Sequence, residues 1–173
     1  MNTNTIWKPL GAIFVMTLIA LPLTAGESSP AERAFERFKA LEGEWTGTGP
    51  EGKTIETRYE LVGEGTSVME FFSIEGEHDM LTVYHLDGDS LMLTHYCAAG
   101  NQPRMRAASF EDENEVSFDF VDVTGVPSPE AGHMHHAVIE FKNDDRVESH
   151  WTWFEGGEAK FTESIEIERV AAR

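Results

Sequence analysis

His95 and Cys97 stand two residues apart in the stretch LTHYCAAGNQPRMR, Leu93 to Arg106. In an extended strand, side chains at that spacing share a face. A thiol beside an imidazole is a pairing that nucleophilic catalysis uses, but it also needs a base aimed at the sulfur and an oxyanion site. Two neighbours on one strand do not establish that geometry, so no catalytic residue is assigned. The stretch fits better as the rim of a cavity. There His95, Asn101, Gln102 and Arg104 would hydrogen-bond a ligand, with Tyr84 and Cys97 beside them and Trp45 and Trp151 as walls. The alternative is a satisfied buried histidine, a small apolar cysteine and a loop whose amides pair with its own backbone.

A second histidine group lies in GHMHHAVIEF and, after a KNDD turn, RVESHWTWF. Pairing Phe141 with Arg146 would put His133, His135 and His150 on one face with Glu148, and Met134, His136, Trp151 and Trp153 on the other. Three imidazoles converging from adjacent strands can hold zinc or copper, zinc with water as a fourth ligand. The spacing matches no specific zinc signature, and strand histidines also serve as ordinary polar faces. Trp151 and Trp153 suit a cavity wall better than a stacking platform.

These side chains need strands to hold them. Asp87-Gly88 between two apolar alternating runs is a hairpin signal. It would put Met80, Thr82, Tyr84 and Leu86 on one face with Leu91, Leu93, His95 and Cys97. Leu81, Val83, His85, Met92 and Thr94 would share the other. Both faces are apolar, so if one lines an interior the other needs cover, from a helix or from a second copy of the chain in a homodimer. The helix is signalled by Ser29-Pro30-Ala31-Glu32, a cap, a first-turn proline and a capping-box glutamate, followed by an apolar stripe through Phe35 and Phe38 to Gly43. From Trp45 the period drops to two. Lys53 to Val62 alternates cleanly, and about ten such runs follow one another with short turns, only Thr124 to Gly132 reading as a long loop. This pattern predicts an all-β fold, an antiparallel up-and-down barrel of about ten strands with one short N-terminal helix. Closure is the simplest way to leave no bare edge, and a sandwich is the runner-up.

The opening residues combine Lys8, an apolar run from Leu10 to Leu23 and small residues at Thr24, Ala25 and Gly26, the layout of a signal peptide over residues 1–25. The expectation is export to the periplasm or beyond, one barrel domain over 26–173, and no stable membrane span after processing. One cysteine allows no internal disulfide. Thirteen basic against 31 acidic residues give a formal charge of −18, which repels nucleic acid and excludes it as a partner. Glycine-rich phosphate loops and paired CxxC motifs are absent from the sequence.

In LEGEWTGTGPEG, Gly43, Trp45, Gly47 and Gly49 alternate, which lets a strand bend and another backbone cross close to it while the indole plugs a barrel end. This stretch resembles the opening of calycin-type barrels, the lipocalins, fatty-acid-binding proteins and especially nitrobindin-like proteins. The segment from GEGTSVMEFF through MLTVYHLDGDSLMLTHYCAAGNQPRMR resembles uncharacterised exported bacterial proteins related to the lipocalin-like DUF1579 set. The resemblance implies a barrel holding a small apolar molecule. Beyond the first strand the nitrobindin pattern is not matched, so no haem-ligating histidine carries over. Metal or haem binding by the strand histidines is the alternative function, and a small hydrolase or isomerase a further one; no cofactor is assigned.

Overall fold

Ser29 accepts a hydrogen bond from the Glu32 amide while the Glu32 carboxylate accepts one from the Ser29 amide, and this capping box starts α1, Pro30–Lys39. The computed structural model describes residues 27–110, 114–128 and 130–171; the expected leader lies outside them. Ten strands follow: β1 Gly43–Thr48, β2 Thr54–Val62, β3 Ser67–Ile74, β4 Met80–Asp87, β5 Ser90–Tyr96, β6 Gln102–Ser109, β7 Glu115–Thr124, β8 His133–Asn143, β9 Arg146–Glu155 and β10 Glu158–Arg169. Every pairing is antiparallel and joins sequence neighbours, and β1 pairs with β10 to close the barrel. The sandwich alternative is thereby excluded. No helix among the described residues is long and apolar enough to cross a membrane.

Alternation along the strands sends Ile55, Tyr59, Val68, Tyr84, Leu91, Leu93, Met105, Phe118 and Ile139 into a common core. The helix lies across one end of it. Phe38, fully buried, stacks on Tyr84 at 4.3 Å between ring centroids and meets Phe141 edge-on at 5.2 Å, a burial worth roughly 1.5–3 kcal/mol for that side chain. Trp45 completes this end: its indole N–H donates to the Leu41 carbonyl at 2.7 Å, and the Arg169 guanidinium lies 4.3 Å over its ring. The helix therefore stoppers the barrel and does not cover the outer face of the β4–β5 hairpin.

That hairpin has the anticipated sharing of faces; Thr82 lies opposite His95 and Tyr84 opposite Leu93, and a two-residue turn in which Gly88 takes a positive φ of 58° closes it. The β8–β9 hairpin departs from it. Phe141 pairs with Val147, not Arg146, because Asn143 takes Arg146 across a two-residue turn and Lys142 is then bulged out, and a second irregularity falls between Met134 and His136. Each extra residue reverses the alternation beyond it. Met134 and Ala137 therefore both turn inward, with His135 and His136 between them.

Candidate functional site

β3 reads VMEFFSI from Val68, and its inward parity carries Val68, Glu70, Phe72 and Ile74, so one carboxylate is driven into an apolar face. Two phenols meet it. Tyr84 Oη donates to Glu70 Oε2 at 2.6 Å from β4, and Tyr59 Oη donates to Oε1 at 3.0 Å from β2. Burial pushes the Glu70 carboxyl above its ordinary range, and the two hydrogen bonds oppose that rise. The same burial, with the Glu70 charge adding to it, holds both phenols well above the usual tyrosine value.

Beside this group, His95 Nδ1 lies 2.9 Å from Thr82 Oγ1, across the β4–β5 pair. Its ring packs on Trp151 with centroids 4.9 Å apart. His95 is 6% exposed, and desolvation lowers its pKa to about 4, so the imidazole is neutral at ordinary pH. These elements enclose a cavity of about 50 Å³. β3, β4 and β5 form one wall with Glu70, Phe72, Thr82 and His95; β8, β9 and β10 form the facing wall with Met134, Ser149, Trp151, Glu163 and Ile165. On a scale where one water needs ~10–15 Å³, the space takes a few water-sized groups.

The anticipated site residues divide by place. His95 and Trp151 line the cavity, and Tyr84 reaches it through Glu70. Trp45 is a wall, but of the stoppered end. Cys97 and Asn101 shape the β5–β6 turn: the Cys97 amide donates to the Asn101 carbonyl at 3.0 Å, and Asn101 Nδ2 donates to the Gly132 carbonyl at 2.9 Å, tying that turn to the β7–β8 loop. Asn101 Oδ1 is buried with no hydrogen-bond partner among the described residues. Burial raises the Cys97 thiol, which keeps it protonated and unsuited to attack. Arg104 is a correction. It pairs with Thr94 on the outer face and forks onto Asp122, Nε to Oδ1 at 2.6 Å, because the neighbouring Met105 takes the inward position.

The histidine strands bring together two of their three imidazoles. β7 and β8 pair only as far as Asp119 opposite His136. At their parting, His133 Nε2 lies 3.0 Å from His135 Nδ1, and His135 stacks between Phe120 and Phe154, each at 4.3 Å. His133 Nδ1 donates to the Ala131 carbonyl at 2.7 Å, so its Nε2 accepts from His135. Burial and the neighbouring His133 lower the pKa of His135. His150 lies elsewhere, opposite Val138, with Nε2 donating to Glu140 Oε1 at 3.0 Å and Nδ1 meeting Ser164 Oγ at 2.8 Å. Its partner Val138 lies beyond the irregularity between Met134 and His136, away from His133 and His135. Glu140, Glu148 and His150 form the one cluster among the described residues with metal-ligand reach, and the Lys142 ammonium bridges its two carboxylates.

Sequence reasoning passed over Glu70, Glu163, Thr82 and Ser149. The signal was present for the two acids: each interrupts an inward apolar series, Glu70 between Val68 and Phe72 and Glu163 before Ile165 and Ile167.

An antiparallel ten-stranded barrel with a largely apolar interior cavity bordered by a few polar groups is the class these features define. A crystal structure of a protein of unknown function from the DUF3598 family of Nostoc punctiforme is similar, with a TM-score of 0.51 and 14% identity over 77% of this chain and 49% of that one. This likeness is one of fold alone, and the chain spans about half the length of that neighbour. No family model and no curated protein matches the chain.

Proposed function

We propose that this is an exported, calycin-like binding protein that takes a small molecule with an apolar body into the barrel interior. The observation that carries the reading is the cavity between the β3–β5 and β8–β10 walls, where Phe72, Met134, Trp151 and Ile165 supply apolar surface and a few polar groups converge. The leader pattern over residues 1–25 supports export, and the glycine and tryptophan alternation of the first strand supports kinship with calycin-type barrels and the DUF1579-like set. The test is native mass spectrometry of the full chain purified from its cellular location, with metal analysis on the same sample. A stoichiometric organic adduct that disappears in Ser149→Phe, which fills the cavity, is the expected result. A bare protein whose Ser149→Phe variant is only stabilised would make the space a packing defect.

A second reading, metal binding, rests on Glu140, Glu148 and His150 rather than on the three histidines first grouped. Zinc there would have to displace Lys142, so Lys142→Ala should bind zinc more tightly than the unaltered chain if this reading holds.

A further inference from the structure

We infer that the interior site selects a small organic cation, an ammonium or alkylammonium group; this rests on the interior-binding reading and names its ligand class. Eleven residues line the cavity, and Glu70 and Glu163 are among them with no lysine or arginine. A carboxylate removed from water is stable only when charge or hydrogen bonds compensate it. Glu70 receives two phenolic hydrogen bonds and no countercharge, and each of its oxygens keeps a further lone pair for a donor. Glu163, half-buried and paired with Trp151 across β9 and β10, has no hydrogen-bond or ion-pair partner among the described residues.

The polar group that turns a pair of acids into a binding site is His95. It is more than nine-tenths buried and lines the cavity, its Nδ1 is engaged by Thr82, and its Nε2 has no hydrogen-bond partner among the described residues. An imidazole that stays neutral does not repel an ammonium group, and in the tautomer that donates Nδ1–H to Thr82 its Nε2 can accept a hydrogen bond from one. Trp151 adds an indole ring on the same wall as Glu163, a surface that attracts a desolvated cation. An anion would face two carboxylates, and a neutral apolar molecule would leave both uncompensated. The cavity suits the charged head of the ligand with a short alkyl chain against Phe72 and Ile165.

The closing experiment compares n-butylammonium, 1-butanol and butyrate, close in size, by NMR titration of the full chain at pH 7.5, reading the Trp151 indole N–H. Butylammonium should bind at least tenfold more tightly than butanol, and butyrate should not bind. Glu163→Gln, nearly isosteric, should weaken butylammonium at least tenfold and leave butanol unchanged; Glu70→Gln should act in the same direction. Equal affinity for butylammonium and butanol, or no effect of either glutamine, overturns the cation assignment while interior binding stands. Failure of all three probes to perturb Trp151 overturns the interior-binding reading with it.

Discussion

Tyr84 Oη sits 2.6 Å from Glu70 Oε2, and Tyr59 holds the other oxygen of the same carboxylate. A buried carboxylate that loses one charge-assisted donor forfeits about 1.5–3 kcal/mol. Tyr84→Phe keeps the stack on Phe38 and removes only the hydroxyl, so it should lower stability by that amount at pH 7.5 in denaturant unfolding. The loss should shrink on acidification through the raised Glu70 value, because a protonated carboxyl gains less from the phenol. An unchanged unfolding midpoint at pH 7.5 would show that Glu70 is not ionised there.

His95 imposes the opposite pH dependence. Its folded value is about 4 against 6.5 in the open chain, so the unfolded state takes up the proton first and the native state loses stability as pH falls from 6.5 towards 4. The difference amounts to about 3 kcal/mol over that window. Glu70 contributes in reverse: its folded value is raised, so its contribution is full below 4.5 and fades as pH climbs through the folded value. His95→Gln, which can still bond Thr82, should therefore lose much less stability than the unaltered chain between pH 7 and 4.5. Parallel losses in the two proteins would refute the buried neutral histidine.

Strand period, the Asp87-Gly88 turn and the capping box were enough to place about ten strands, one helix and the face that Thr82 shares with His95, because each is a local rule that tertiary packing only reinforced. What stayed illegible depends on bulges and on rims. The tight turn at Asp144-Asp145 and the insertions at Lys142 and His135 leave no mark on composition, yet together they set the register that puts His150 opposite Val138. The length of the turn after Cys97 hid which of Arg104 and Met105 faces in. Glu70 and Glu163 were visible as charges on inward apolar faces, but a charge in a strand is ordinarily read as its solvent side. Only the converging walls show that both border one space.

Arg104 offers a direct check on that division between rim and exterior. Its fork to Asp122 raises its own pKa and lowers that of the aspartate, but the pair is bathed in solvent, where such bridges contribute little. Arg104→Ala should leave the affinity for any interior ligand within twofold of the unaltered chain, measured by the same Trp151 titration. A tenfold loss would return Arg104 to the mouth of the site.

Gly47 sits where the barrel closes, and the barrel tolerates no side chain there. A Cβ at this position would come within 2.3 Å of the Glu166 carbonyl oxygen and 3.1 Å of Ile167 Cγ2. The oxygen belongs to β10, whose registered pairing with β1 covers Trp45 with Arg169, Thr46 with Glu168 and Gly47 with Ile167. Relieving the clash means parting the backbones of this short seam, where Arg169 also donates to the carbonyls of Ala40 and Glu42 below the helix. Gly47→Ala should cost about 1–3 kcal/mol, in the range of other overpacking changes, and should speed amide exchange along β1 and β10 before it does so in β4 and β5. Gly49→Ala is the comparator. Its Cβ would crowd the Ile55 side chain at 3.2 Å and meet the Lys53 carbonyl oxygen at an ordinary 3.6 Å, so no backbone has to part and its cost should be smaller. If the two alanines cost the same, the close approach of β10 is not what requires glycine at position 47, and the alternation in the first strand has a cause other than closure.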